Sequence, residues 1–153
     1  MAVAKLVYGS RTTLTTSALN SLASANYVSA GTITFLSSAK VPLTSKLEVN
    51  VTSGSVSSNK QVVVFGRASV NNTDFTTGPV SGTNTTDEPN LIFIGTVPCN
   101  TSSQLQRGQF DLAQVFGGAL PPYLEIIIKN ETGAALAASG HAVYYTNADG
   151  DIT

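Results

Sequence analysis

The side chains that could perform catalytic chemistry are few in this chain. His141 is the single histidine and Cys99 the single cysteine among 153 residues. A catalytic histidine needs a nucleophile or an acid within hydrogen-bond reach, and a cysteine nucleophile needs a base that lowers its pKa. Neither residue has such a partner nearby in the sequence. We therefore interpret His141 as a histidine at a strand edge and Cys99 as a buried, inert thiol, with a small hydrolase using either residue as an alternative.

An acidic stretch near residue 150 resembles the middle of a calcium-binding loop. Residues 147–152 read NADGDI, with oxygen-bearing side chains two positions apart and a glycine at the turn. The first ligand position of such a loop would fall on Tyr145, and the closing glutamate would fall beyond Thr153. The sequence therefore predicts a solvated tail here and no metal site. We expect no catalytic residue, no cofactor and no enzymatic activity.

The composition favours a β protein with a nearly neutral surface. Charged residues make up 11% of the chain and hydrophobic residues 42%, whereas soluble domains usually contain about 25% charged residues. The polar surface must then consist mainly of Ser, Thr and Asn, which are unfavourable inside helices. A net charge of −1 gives no attraction for nucleic acids. Without a secretory signal or an apolar run of about 18 residues, we expect a soluble protein made in a cytoplasm, with no membrane partner.

The length of 153 residues predicts one domain over residues 1–153, and hydrophobic periodicity with turn signals predicts a two-sheet β-sandwich of about eight strands. Leu47, Val49 and Val51 alternate with polar residues, as in a half-buried strand. The continuous apolar run at residues 62–65 predicts a central strand that kinks at Gly66. One short N-terminal helix or turn is predicted within residues 12–26. Strands are expected at residues 5–8, 27–35, 47–51, 61–70, 91–97, 110–115, 123–129, 134–138 and 141–146.

Two segments are predicted to contribute least to the core. They are an N-terminal arm over residues 1–16 and an extended loop over residues 71–90, which is rich in Asn, Thr, Gly and Pro. Loops of this length in a compact domain are usually functional. We therefore assign the candidate partner contacts to these segments: Arg11, Asn72, Phe75, Asp87 and Glu88.

Four stretches carry a resemblance to a known family. They are SALNSLA at residues 17–23, NLIFIGT at 90–96, FGGALPP at 116–122 and IKNETGAAL at 128–136. In this order they resemble the jelly-roll capsid decoration, or cement, proteins of bacteriophages. Many members of that family have Trp where this chain has Tyr123. The residues taken as the structural motif are Phe116, Gly117, Gly118, Leu120, Pro121, Pro122, Asn130, Thr132 and Gly133.

The resemblance implies a jelly roll and a non-enzymatic virion protein. Such a protein binds the outer surface of the capsid and stabilises the shell by bridging subunits of the major capsid protein, as a homo-oligomeric trimer or dimer. It takes no small-molecule substrate and binds no nucleic acid. The alternative is a phage tail or receptor-binding module that recognises a host surface glycan through exposed aromatic residues. Core packing is the preferred role for Phe35, Phe65, Phe93 and Phe110, because they lie in apolar strands.

Overall fold

A computed structural model describes residues 4–36, 41–57 and 59–152 of the chain. Its regular elements are almost all strands, with one short α-helix, α1 (Leu112–Val115), and one 3₁₀ turn (Glu88–Asn90). The strands are β1 (Ala4–Tyr8), β2 (Thr12–Thr15), β3 (Tyr27–Thr34), β4 (Thr44–Thr52), β5 (Gln61–Ser69), β6 (Ser81–Gly82), β7 (Ile92–Pro98), β8 (Leu105–Asp111), β9 (Tyr123–Asn130) and β10 (Ala142–Ile152).

The strands form two five-stranded sheets. Sheet A has the order β1-β10-β4-β8, and β2 also pairs with β10. Sheet B has the order β6-β3-β9-β5-β7. All of the strand pairs are antiparallel. The prediction of an all-β, two-sheet protein is therefore confirmed.

The main core lies between the inner faces of the two sheets. In β4 the buried residues alternate strictly with half-buried ones, so that Leu47, Val49 and Val51 point inward. They belong to the same apolar cluster as Ile126 and Ile128 of β9. Because side chains on a strand alternate between faces, the period-two pattern of β4 corresponds to a strand that is buried on one face.

Sheet B is buried on its outer face as well. Ile126, Ile127 and Ile128 of β9 are all fully buried, although Ile127 points away from the main core. A second apolar cluster lies on this outer face, and residues 78–91 contribute to it. Its members are Tyr27, Val63, Phe65, Leu91 and Ile127, with Val80 packed against them. Burial on both faces explains the continuous apolar runs in β5 and β9.

Of the helix or turn predicted near the N-terminus, the helix is wrong and the turn is confirmed. Residues 12–15 form strand β2, and residues 16–26 form turns. The hydroxyl of Thr15 accepts hydrogen bonds from the backbone N–H groups of Ser17 (3.3 Å) and Ala18 (3.1 Å), which favours a turn. Positive φ angles at Ser21 and Ala25 then prevent a continuous right-handed helix. The described part of the predicted arm consists of two strands paired with β10, and residues 1–3 lie outside the described residues.

Three other boundaries differ from prediction. The strand expected at residues 110–115 ends at Asp111, because that side chain accepts a hydrogen bond from the N–H of Ala113 (3.1 Å) and caps α1. Residues 134–138 form no strand. Residues 147–152 are not a tail but continue β10, where Asn147 pairs with Ser45. The pairing of β5 with β7 shifts register one residue before Gly66. This irregularity lies close to the predicted kink.

Candidate functional site

His141 links a loop to the end of β4. The ring is buried, and its Nδ1 accepts a hydrogen bond from the backbone N–H of Thr52 at 3.2 Å. Its Nε2 lies 2.9 Å from the carbonyl oxygen of Ala137. The neutral tautomer with its proton on Nε2 satisfies both contacts. Both ring nitrogens are therefore engaged with the backbone.

Cys99 is fully buried at the end of β7. Its Sγ contacts the carbonyl oxygen of Val97 at 3.5 Å. Burial raises the pKa of the thiol to about 11, so the thiol is protonated near neutral pH and is a weak nucleophile. Within the described residues, no group of three or more His, Cys, Asp or Glu side chains is placed to hold a metal ion.

The first half of the FGGALPP element ends α1. The N–H of Phe116 donates to the carbonyl of Leu112 (3.2 Å), and the N–H of Gly118 donates to that of Ala113 (2.7 Å). Gly117 and Gly118 have φ angles of +69° and +103°, which residues with side chains rarely adopt. The glycines are therefore required to reverse the chain after the helix.

The second half of the element attaches the chain to sheet B. Leu120 is buried in the main core, and Pro121 and Pro122 are half-buried. The carbonyl of Pro122 accepts hydrogen bonds from the N–H groups of Phe35 (2.9 Å) and Leu36 (3.2 Å). This element positions the start of β9, and it has a structural role here.

Asn130 joins three parts of the chain through a fully buried side chain. Its amide nitrogen donates to the carbonyls of Leu22 (2.8 Å) and Ala134 (2.7 Å). Its amide oxygen accepts from the N–H (3.0 Å) and the hydroxyl (2.8 Å) of Thr132. Gly133 follows with a φ of +85°. The N-x-T-G stretch thus forms a satisfied polar network that fixes the chain reversal after β9.

The start of the 71–90 loop borders an apolar cleft. Asn72 is exposed, with a φ of +61°, and Phe75 is half-buried beneath the guanidinium of Arg67, 5.4 Å from the ring centre. Val70 is 78% exposed. The cleft has a volume of about 430 Å³, and its lining residues are Ala68, Ser69, Val70, Asp74, Phe75, Thr76 and Pro121. This cleft is the part of the predicted contact region that presents apolar surface.

Glu88 is not a free contact residue, because its carboxylate holds the loop on sheet B. It accepts hydrogen bonds from the Tyr27 hydroxyl and from Nζ of Lys129 (2.5 Å). Lys129 also forms an ion pair with Glu131 (3.0 Å) and lies 5.1 Å from the centre of the Tyr27 ring. Burial opposes the charge of Lys129, but the hydrogen bonds to both carboxylates outweigh it and raise the pKa of this lysine. The neighbouring Asp87 is exposed.

Arg11 lies on the other sheet. Its guanidinium is 4.0 Å from the centre of the Tyr144 ring and 3.3 Å from the carboxylate of Glu48. The five candidate contact residues therefore do not form one site. Arg11 lies over sheet A, Asn72 and Phe75 lie at the start of the 71–90 loop, and Asp87 and Glu88 lie at its far end.

Sequence reasoning missed the charge cluster around Lys129. The sequence contains one signal for this cluster: the apolar run LEIIIK ends in a lysine, and a charged side chain in a buried strand needs polar or charged partners.

The sequence also led to a core assignment for Phe93, which the structure does not support. Phe35 and Phe65 are buried, but Phe93 is 59% exposed and packs edge-to-face on Phe65, with 6.1 Å between ring centres.

Comparison of the chain with protein-family models, with curated proteins and with solved structures gives no match in any of the three. None of the helices in the described residues has the length and hydropathy that a bilayer-spanning helix needs.

Proposed function

We propose that this protein is a non-enzymatic structural protein of a bacteriophage virion. In this proposal it binds the outer surface of the capsid and bridges neighbouring subunits of the major capsid protein, so that separating them also breaks its own contacts. The observation that carries the proposal is the strand order, taken together with the four stretches that resemble decoration proteins.

The strand order supports a jelly roll. β1 and β2 pair with the same edge of β10, opposite to β4, and can be counted as one strand. With the two-residue β6 set aside, eight strands remain, in the orders β2-β10-β4-β8 and β3-β9-β5-β7. Along the chain they fall in sheets A, B, A, B, B, A, B and A. Repeated crossing between two sheets is expected of the two Greek keys of a jelly roll, a fold common in viral capsid proteins.

The apolar cleft beside Phe75 is the proposed capsid contact. Val70, Phe75 and Pro121 give it an apolar lining, and a pocket of this kind can receive an apolar side chain of the capsid protein. Asn72 and Asp87 are exposed on the same loop and add polar contacts outside the cleft. Glu88 is left out of the contact surface, because Tyr27 and Lys129 already occupy its carboxylate.

To bridge capsid subunits, the protein must bury enough interface area on each subunit and must contact several subunits at once. A standard interface buries about 800 Å² on each partner. A homo-oligomer, a dimer or trimer on a symmetry axis of the shell, engages several subunits at once and gains avidity from linked sites. A surface of neutral polar groups is compatible with this role because it permits many hydrogen bonds without charge repulsion.

The proposal is tested by mixing the purified protein with undecorated heads of the phage that encodes it. We expect stoichiometric co-sedimentation and heads that resist heat and dilution better than bare heads. Val70→Asp places a charge in the cleft and should weaken binding about tenfold or more. Leu105→Asp is the control, because Leu105 is also exposed but lies on β8 of sheet A.

Failure of the wild-type protein to co-sediment contradicts the capsid-binding function. Equal binding of the two variants contradicts only the assignment of the cleft. Deleting residues 71–90 is a poor test, because Val80 in this loop packs against the cluster that contains Tyr27 and Ile127. A deletion would therefore uncover apolar surface and confuse loss of contact with loss of fold.

A further inference from the structure

A second cleft crosses one end of the outer face of sheet A. It is lined by side chains from three strands and from α1, and its volume is about 500 Å³, within the range typical of small-molecule sites. Among the described residues, no apolar cluster comparable to the one under residues 78–91 on sheet B lies on this face. The lining residues are Tyr8, Lys46, Gln109, Phe110, Asp111 and Gln114.

The charges in this cleft balance. Lys46 Nζ lies 2.6 Å from Asp111 Oδ2. Asp111 Oδ1 accepts hydrogen bonds from the hydroxyl of Thr44 (2.6 Å) and from the N–H of Ala113 (3.1 Å). The hydrogen bonds from Lys46 and Thr44 lower the pKa of Asp111, and the one to Asp111 raises the pKa of Lys46. Both groups stay charged, so the site offers a fixed ion pair with no net charge.

The remaining polar groups of the cleft are unused. Gln109 and Gln114 are exposed, and their side-chain amides have no hydrogen-bond partner in the part of the chain that the structure describes. Each amide offers two donors and one acceptor. Tyr8 is 53% exposed and lies on β1, at the opposite end of the strand order from β8; a tyrosine presents both an apolar ring face and a polar hydroxyl.

We propose that this cleft binds a neutral saccharide. A pyranose has a face of C–H groups that packs on an aromatic ring, and hydroxyls that both donate and accept hydrogen bonds. Tyr8 supplies the ring. The amides of Gln109 and Gln114, together with the Lys46–Asp111 pair, supply donors and acceptors on the opposite side. An anionic ligand gains little electrostatic attraction in this cleft, because the carboxylate of Asp111 already neutralises the charge of Lys46.

The saccharide cleft differs from the proposed capsid contact in its location and in the polarity of its lining. The cleft beside Phe75 lies on β5, the following loop and Pro121, and its lining is mostly apolar. The saccharide site lies on β1, β4, β8 and α1 and combines two aromatic residues, Tyr8 and Phe110, with polar groups. The two proposals rest on different residues, and either can fail without the other.

The test begins with an array of neutral, sialylated and sulfated oligosaccharides probed with the fluorescently labelled full chain. We expect binding to neutral glycans. The affinity for the best neutral oligosaccharide is then measured by titration calorimetry. Tyr8→Ala and Gln109→Ala should each weaken binding about tenfold, the loss expected for one stacking contact or one well-placed hydrogen bond.

Two matched variants control for general effects. Phe93→Ala removes an exposed aromatic ring from sheet B, and Gln104→Ala removes an exposed glutamine outside the cleft. Both should bind as the wild type does. Gln114→Ala, on an exposed position of α1, provides a third cleft variant if Tyr8→Ala fails to fold. In NMR spectra, the side-chain amide signals of Gln109 and Gln114 should shift on adding the oligosaccharide, and that of Gln104 should not.

Three results overturn the proposal. The first is an array on which no neutral glycan binds. The second is equal or stronger binding of sialylated or sulfated glycans, which contradicts the neutral class of ligand. The third is unchanged affinity in the folded cleft variants, which removes the saccharide from this cleft.

Discussion

Sheets A and B bury their inner faces against each other, but their outer faces differ. The outer face of sheet A carries polar residues such as Lys46, Glu48 and Asn50 in alternation with the core. The outer face of sheet B carries Ile127, Val63 and Phe65 beneath residues 78–91. The same antiparallel architecture therefore has one solvated face and one covered face.

The difference shows how a long polar loop becomes part of the fold. Residues 71–90 contain few large apolar side chains, yet Val80 packs on the outer face of sheet B, and Leu91 directly after the loop is buried there. Glu88 adds an ion pair with Lys129 inside that covered region. These contacts, together with the pairing of β6 with β3, attach the loop to sheet B.

The largest effect is expected from Ile127→Ala. Ile127 is fully buried under the loop, so its truncation should lower the free energy of unfolding by about 3 kcal/mol. Thr146→Ala, at a half-buried position of β10 on sheet A, should change it by less than about 0.5 kcal/mol. Urea denaturation measures both. Equal losses would mean that the two outer faces do not differ in burial.

The next largest loss of stability is expected from replacing a lysine that forms ion pairs on sheet B, compared with a lysine that forms one on sheet A. Lys129→Met should cost about 2 kcal/mol, because it leaves the partly buried Glu88 and Glu131 without their cation. Lys46→Met should cost about 0.5 kcal/mol, because the Lys46 side chain is 41% exposed whereas that of Lys129 is 10% exposed. Limited proteolysis within residues 78–90 should accelerate only in Lys129→Met. Unchanged cleavage there would show that Glu88 does not hold the loop.

Acidic pH should reduce the stability that Glu131 contributes beside the covered face of sheet B. Burial alone would raise the pKa of Glu131, but hydrogen bonds from Gln61 and Lys129 outweigh it and hold the pKa below its ordinary value of 4.5. A carboxyl whose pKa is lowered by folding stabilises the protein above its unfolded pKa, and this contribution disappears as the pH falls through the folded value.

We therefore expect the free energy of unfolding to be nearly constant from about pH 5 to 8 and to fall as the pH drops below 4.5. Glu131→Gln should reduce that slope, since the residue no longer titrates. Chemical denaturation at a series of pH values gives the slopes. An identical slope in the variant would exclude Glu131 as a source of acid sensitivity.

The smallest effect is expected from Arg11→Ala on the solvated face. Its ion pair with Glu48 and its contact with Tyr144 are exposed, so the loss should be about 0.5 kcal/mol. High salt should reduce this difference because it screens exposed charges. Arg107→Ala removes an exposed arginine of β8 and serves as the control. A loss that persists at high salt would show that packing on Tyr144 dominates.

Local pattern was sufficient to predict most strands. The alternation in β4 and the continuous runs in β5 and β9 directly reflect burial on one face or on both. At residues 16–26, contacts with distant residues add to the local hydrogen bonds of Thr15. The N–H of Ala25 donates to the carbonyl of Asn130, and that of Ser21 donates to Ala137, so the turns there are fixed in part by residues more than a hundred positions away.

The placement of the candidate contact residues could not be predicted for a similar reason. Nothing near Glu88 in the sequence indicates that Tyr27 and Lys129 meet its carboxylate. The cleft on sheet A likewise brings together Tyr8, Lys46 and Gln109, whose proximity depends on the order of strands in the sheet. Strand order is a property of the whole fold, and local periodicity does not encode it.

The pairing of β1 with β10 also bears on how the chain is made. These strands lie at opposite ends of the described residues, and Leu6 pairs with Gly150. At about 5–20 residues per second, a ribosome needs several seconds to produce the second strand after the first. Throughout that interval Leu6 and Val7 have no β10 to pair with. Nascent copies on neighbouring ribosomes can therefore exchange these strands, and dilute expression or a chaperone should increase the yield of correctly closed sandwiches.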